Sequence, residues 1–314
     1  MEGKEMNNAE QVSKYMEYCE YGKGLDGNTL KAYRIDLRQF LEEMGLNAVN
    51  AAIIPGKDCL ERYINILCRR YKKKTVKRKL ASVKAFYNYL EEQEIIAENP
   101  FRRIKVKIKD TVLLPRIIPR EEIEQLLNYM YLQKRDDRCC RYWLRDIAII
   151  ETFFATGARV YEISNITADS VDLNTGLIRI MGKGGKERYI QVVAIEILEI
   201  LQKDYKQNSS AIKRSGFFFV NNRGNRYTEQ SIRSMLKKYT KQAGIARNIT
   251  PHMFRHSFAT YLIEEGVDVS CVQQILGHSS IKTTQIYIHV AAKKQAQILQ
   301  DRHPRKYMKV GRVA

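Results

Sequence analysis

The stretch from residue 250 to residue 289 holds four of the five histidines in the chain: His252, His256, His278 and His289. His252 and Arg255 stand three apart, so a helix places them on one face. His278 follows Leu276-Gly277, a helix-stop signal, and Tyr287 lies nine residues further on. A histidine–arginine pair, a second histidine and a downstream tyrosine can surround one phosphodiester. The arginine would hold the anion, the histidines would donate hydrogen bonds or move protons, and the phenol would attack.

Two other segments add groups of the same kind. In A-T-G-A-R-V-Y-E-I, Gly157 breaks one helix and Arg159 opens the next, with Glu162 one turn later. An arginine at the mouth of a helix, beside exposed N–H groups, suits a phosphate. Taken alone, the same pair is also what an ordinary surface ion pair at i,i+3 looks like. G-K-G-G-K-E, between two alternating runs, reads as a flexible hairpin turn carrying Lys183 and Lys186. Either lysine can reach into a cleft from there.

The 314-residue chain is long enough for two domains with cores of their own. Fifty-four Lys and Arg against 35 Asp and Glu give a formal net charge of +19. The excess is spread along the chain, which points to a broad face for a polyanion and away from a charged tail. Six cysteines without a C-x-x-C pair suggest free thiols in a reducing compartment, and no spacing suggests a zinc site. The first residues lack the apolar core of a signal peptide, and no apolar run approaches membrane-spanning length. A cytoplasmic, soluble protein with no membrane partner is expected.

Apolar periodicity predicts the elements that must position these groups. A bundle of about four helices fills residues 1–104. One helix runs from Glu10 to Tyr21. A second starts at an Asn28 cap and carries Leu30, Tyr33, Leu37 and Phe40. Later helices carry Leu60, Ile64 and Leu67, and then Val76, Leu80, Val83 and Leu90. Between the last two lies R-R-Y-K-K-K-T-V-K-R-K, in which Arg69, Arg70, Lys72, Lys73, Lys74, Lys77, Arg78 and Lys79 form a dense cationic patch. A charge run is often only a solvated face. Its density, at the start of a helix, fits contacts to a phosphate backbone better. Residues 105–118 read as an extended basic linker, bounded by prolines, or as an edge strand. Residues 119–314 form a second domain of helices with short strands at 177–181 and 188–192, a short strand or buried run at 217–220, a final helix at 291–299 and a basic tail. Trp143 is expected in its core.

Four segments together resemble the tyrosine recombinases, the lambda-integrase-like site-specific recombinases, over nearly the whole chain. T-G-A-R-V-Y-E resembles the family's first box, I-M-G-K-G-G-K-E-R its lysine hairpin, H-M-F-R-H its H-x-x-R box, and L-G-H-S-S-I-K-T-T-Q-I-Y its last box. Ala158 and Tyr161 depart from the residues common there. The resemblance implies a mainly α fold with a small β-sheet: a SAM-like core-binding domain plus an α+β catalytic domain, clamped in a C shape around DNA. It implies catalytic roles for Arg159, Lys183, His252, Arg255 and His278, with Tyr287 as nucleophile and Glu162 in support. Lys186 remains a rival to Lys183 as general acid. It further implies double-stranded DNA with an inverted-repeat core site as partner, a tetramer on two DNA sites assembled through the C-terminal helix, and no metal or cofactor. Strand cleavage would pass through a 3′-phosphotyrosyl intermediate and a Holliday junction, in integration, excision or dimer resolution. Two other readings stand beside this one: a type IB topoisomerase-like nicking and rejoining enzyme, and a non-catalytic DNA-binding protein of the same fold.

Overall fold

The computed structural model describes residues 8–46, 56–104, 108, 116–132 and 142–277, and at Lys183 the backbone alone. The chain divides into two compact units, Met1–Thr111 and Val112–Ala314.

The first unit is helical: α1 (Asn8–Glu17), α2 (Gly27–Glu43), α3 (Lys57–Arg70) and α4 (Lys73–Glu92). Each presents an apolar stripe at helical spacing. Leu37 and Phe40 of α2, Leu60, Tyr63 and Leu67 of α3, and Val76, Val83, Tyr87 and Leu90 of α4 meet in one core. Three expectations need correcting here. The first helix begins at Asn8 and leaves α geometry at Tyr18, running on as a wider π turn to Gly22. The Tyr18 ring lies where a side chain at residue 22 would stand, 2.9 Å from an ideal Cβ, so glycine admits the packing. The cap of α2 is Asp26, not Asn28. Its extended backbone turns the carboxylate onto the N–H groups of Asn28 (3.1 Å) and Thr29 (3.0 Å), while Asn28 is already helical.

Lys79 is the third correction, because it leaves the cationic patch and points inward, 3% exposed. It follows Val76 by three residues and so shares that residue's buried face. Its ammonium donates to Asp36 Oδ1 (3.1 Å) and to Gln39. Asp36, fully buried, also accepts from the Arg78 guanidinium and from the Ser82 hydroxyl (3.0 Å). A carboxylate taken out of water is tolerable only with such partners.

The second unit contains α5 (Arg120–Leu132), α6 (Trp143–Thr156), α7 (Val160–Ser164), the strands β1 (Leu177–Met181) and β2 (Glu187–Gln191), then α8 (Ile195–Ser215), α9 (Glu229–Gln242), α10 (Pro251–Glu264) and α11 (Val269–Leu276). Helix α6 is buried nearly all round and lies at the centre of the core, with Ile147, Ile149, Ile150 and Phe153 packed inside. Helices α8 and α10 pack across it, and Phe153 stacks on Phe254 of α10 with ring centres 5.9 Å apart. Trp143 is buried, its indole N–H donating to the Met130 carbonyl.

The strands form an antiparallel hairpin with Leu177 opposite Gln191 and Met181 opposite Glu187. Ile178, Ile180 and Ile190 face inward, as alternation requires. The 217–220 segment is a buried run, with Phe218 and Phe219 in the core, joined to its neighbours by single bridges at Phe217 and Val220. The architecture is mainly α with a small sheet. Among the described residues no helix is long and apolar enough to cross a membrane.

Candidate active site

Helix α6 ends at Gly157, whose φ of 58° is left-handed. A side chain there would be strained and would meet Phe258 at 2.5 Å and Leu276 at 2.7 Å, so the turn needs glycine. The chain then passes through Ala158 to Arg159, which caps α7. The Arg159 N–H donates to Glu162 Oε2 (2.8 Å) and its guanidinium to Oε1 (2.7 Å). The carboxylate thereby satisfies an open N–H at the start of α7.

Glu162 is therefore more than half of a surface pair. Its side chain is 1% exposed, and it also receives a two-pronged bond from Arg188 of β2, at 3.1 Å to Oε1 and 2.7 Å to Oε2. Burial alone would raise its pKa. The bonds and charge of Arg188, with the N–H and guanidinium of Arg159, outweigh burial and hold it below the usual carboxylate range. An ideal Cβ on Gly182, at the base of the lysine turn, would lie 3.9 Å from Glu162 Oε1. One carboxylate thus joins the first box to the hairpin.

The turn itself runs Lys183–Gly185, with Gly184 and Gly185 at φ of 75° and 74°. Lys183 occupies the first position of the turn and Lys186 follows it, exposed.

Arg255 makes a second joint. Carried on α10 and 5% exposed, it donates to the Gly157 carbonyl (2.8 Å) and to the Leu276 carbonyl (2.7 Å). Both oxygens belong to helix C-termini, where a cation is electrostatically favoured. The turn two residues ahead of Arg159 and the end of α11, just ahead of residue 278, are therefore tied to the same side chain. His252 lies exposed one turn before Arg255. His256 is half-buried, its pKa lowered first by burial and then by His252 and Arg255. The expected roles of His278 and Tyr287, and the helix at 291–299, fall outside the described residues, as does nearly all of the basic linker.

Sequence reasoning missed Arg188. It stands opposite Ile180 and shares its face with Ile190, so alternation puts a charged residue at an inward-facing position. Such a position needs a buried partner, and that signal was available.

In the first unit, Arg69 and Arg70 close α3, and Lys72 and Lys73-Lys74 open α4. Arg69, Lys72, Lys73 and Lys74 are exposed and Lys77 is half-buried. Arg70 donates to Glu43 (2.7 Å), and Arg78 is taken up by Asp36. The first turn of α4 has no acid, and its cap offers no acceptor. Three lysines at the positive end of a helix oppose its dipole, which weakens the helix and favours a bound anion.

Comparison with known proteins places the chain. The model for the Phage integrase family matches residues 116–294, and that for "Phage integrase, N-terminal SAM-like domain" matches residues 12–94. The chain is 44% identical over 306 residues to a tyrosine recombinase of Agathobacter rectalis, covering 96% of this chain and 99% of that one. It is 32% identical to tyrosine recombinase XerC of Halalkalibacterium halodurans, covering 96% and 99%. The structure of XerH site-specific recombinase bound to palindromic difH substrate, a post-cleavage complex, matches with a TM-score of 0.73 at 22% identity, covering 92% of this chain and 85% of that one. At that identity the likeness concerns the fold. The chain belongs to the phage integrase family, among its tyrosine recombinases. It is an enzyme of site-specific DNA recombination.

Proposed function

We propose that the chain cleaves and rejoins double-stranded DNA through a 3′-phosphotyrosyl bond to Tyr287. A phosphodiester is anionic, so attack on it requires charge neutralised at fixed points. Arg159 and Arg255 supply that charge to the non-bridging oxygens, and His278 adds a donor. The phenol, with an ordinary pKa of about 10, gives its proton to His252 as its oxygen bonds to phosphorus. The bond from phosphorus to the 5′-oxygen breaks, and that oxygen takes a proton from Lys183, or from Lys186 on the same turn. The covalent bond conserves the free energy of the linkage, so another 5′-hydroxyl can reverse the step on a different strand, through a Holliday junction.

The observation that carries this reading is the pair of joints at Glu162 and Arg255. They bring the first box, the lysine hairpin, the H-x-x-R box and the approach to residue 278 to one place. In the first unit, Arg69, Arg70, Lys72, Lys73, Lys74, Lys77 and Arg78 are the phosphate-facing set. Lys72, Lys73 and Lys74, at the open start of α4, make the strongest case among them. The partner is DNA bearing an inverted-repeat core site. Copies of the chain act as a tetramer on two such sites, joined through the helix at 291–299, in the cytoplasm. Domain limits at 104 and 118 accord with this division of labour.

A nicked duplex that traps the covalent product tests the assignment. Wild type should yield an adduct that survives denaturant, and Tyr287→Phe should yield none while binding DNA with unchanged affinity. A denaturant-resistant adduct from Tyr287→Phe would remove Tyr287 from the role of nucleophile.

A further inference from the structure

We propose that Arg188 is a positioning residue for strand cleavage: by taking up the charge of the Glu162 carboxylate, it keeps Arg159 aimed and the cluster net positive toward the phosphate. The inference rests on the reading of Arg159 as a phosphate-holding arginine.

An isolated Arg159–Glu162 pair would be a poor phosphate clamp. Its charges cancel, and the carboxylate would repel the incoming anion. The structure contains a different arrangement, with two guanidiniums on one carboxylate. Arg188 makes the forked contact, at 3.1 and 2.7 Å, the geometry in which an arginine binds a carboxylate most strongly. Arg159 contributes one guanidinium bond, at 2.7 Å, and its backbone N–H. The trio stays net positive. Exposure divides the two arginines further: the Arg188 side chain is 11% exposed and that of Arg159 36%. One guanidinium is committed to the protein, and the other keeps an open face.

Arg188 also touches the far end of the site. An ideal Cβ on Gly277 would lie 3.2 Å from Arg188 Cδ and 3.3 Å from Nη1, so the side chain lies against the left-handed cap of α11. Its Nε is buried and has no partner among the described residues. Among the described residues, the cations acting on Glu162 are Arg188 from β2 and Arg159 from the start of its own helix. Helix α10 sends Arg255 to the neighbouring Gly157 carbonyl, and the cap of α11 meets Arg188 with backbone.

The test compares full-length wild type, Arg188→Met and Arg188→Lys for the rate of covalent adduct formation on a nicked duplex. It is run at saturating DNA from about pH 5 to pH 9, a range that exposes both limbs of the profile. Rates are normalised to folded protein by circular dichroism. Arg188→Met should lower the rate at neutral pH by about tenfold or more, with DNA affinity and its salt dependence unchanged. Its acid limb should move to higher pH, because Glu162 without the fork takes up a proton sooner. Arg188→Lys, which keeps the charge but not the fork, should fall between the two.

A rate per folded molecule and an acid limb both equal to wild type in Arg188→Met would overturn the inference and leave the enzyme reading standing. Should Arg188→Met fail to fold, Arg188→Lys decides alone, and a rate within about twofold of wild type counts against the fork. Wild type that forms no adduct would bring down the proposed cleavage roles of Arg159 and Tyr287, and the inference with them.

Discussion

Asp36 in the first unit and Glu162 in the second are both buried carboxylates gripping two cations, and they do different work. Asp36 lies between α2 and α4 and holds Arg78, Lys79 and Ser82. Its partners come from one stretch of α4, so the grip clamps two long helices. Glu162 gathers Arg159 from the mouth of a short helix and Arg188 from a hairpin strand. Its partners lie on separate segments. The same ionic chemistry makes a fastener in one place and, on the proposed reading, a phosphate clamp in the other. The deciding variable is which elements are joined, because Arg78 beside Asp36 also keeps a solvent-facing side, 47% exposed against 36% for Arg159.

Removing the fastener should have the largest effect. Asp36→Ala leaves the Lys79 ammonium buried without its carboxylate, and should cost about 3–5 kcal/mol of stability in urea unfolding. Glu162→Gln is the matching change at the clamp. It should cost less, about 1–3 kcal/mol, and slow covalent adduct formation by about tenfold or more. If Glu162→Gln reduced only stability and kept the wild-type adduct rate, the two carboxylates would be equivalent and the distinction would fail.

A third buried acid sharpens the contrast. Asp204 is held by the Asn208 amide (2.8 Å) and not by a forked arginine. Burial pushes its pKa up to about 7, against the opposing effects of Asn208 and Arg145. The folded state therefore keeps a proton that the unfolded chain releases near pH 4. The stability this contributes is complete below about pH 4 and is lost as pH rises towards 7. Asp204→Asn should flatten the fall in thermal midpoint between those limits, and an unchanged slope would mean that Asp204 ionises normally.

The smallest effect belongs to the solvent-facing cations. Replacing Lys72, Lys73 and Lys74 by glutamine should leave stability within about 0.5 kcal/mol. It should weaken binding to every DNA sequence and reduce the salt slope by about 0.9 for each phosphate that is no longer neutralised. A change confined to sequence preference would argue against backbone contacts.

Much of this was legible in the sequence, for identifiable reasons. Apolar periodicity located α2, α3 and α4, because their stripes bury against one another, and strict alternation located both strands of the hairpin. T-G-A-R-V-Y-E pointed to Arg159 and Glu162 through its resemblance to the family's first box, since alone the pair reads as an ordinary i,i+3 ion pair. Arg188 was overlooked although it closes the motif I-M-G-K-G-G-K-E-R, because the box was read for its lysines and not for the inward register of its last residue. Lys79 was swept into the cationic run because composition was weighed before helical phase. Asp26 lost the cap to Asn28 because both are good caps, and only the backbone angle at residue 26 separates them. Sequence spacing shows which residues share a face. It does not show which carboxylate two distant arginines will share.

The clasp at Arg255 has a consequence for the life history of the chain. Its two carbonyl partners lie 98 residues before it and 21 after it. No early fragment on the ribosome can close both contacts, and closing so long a loop is entropically slow. On the proposed role of Arg255, strand cutting therefore waits for the finished domain.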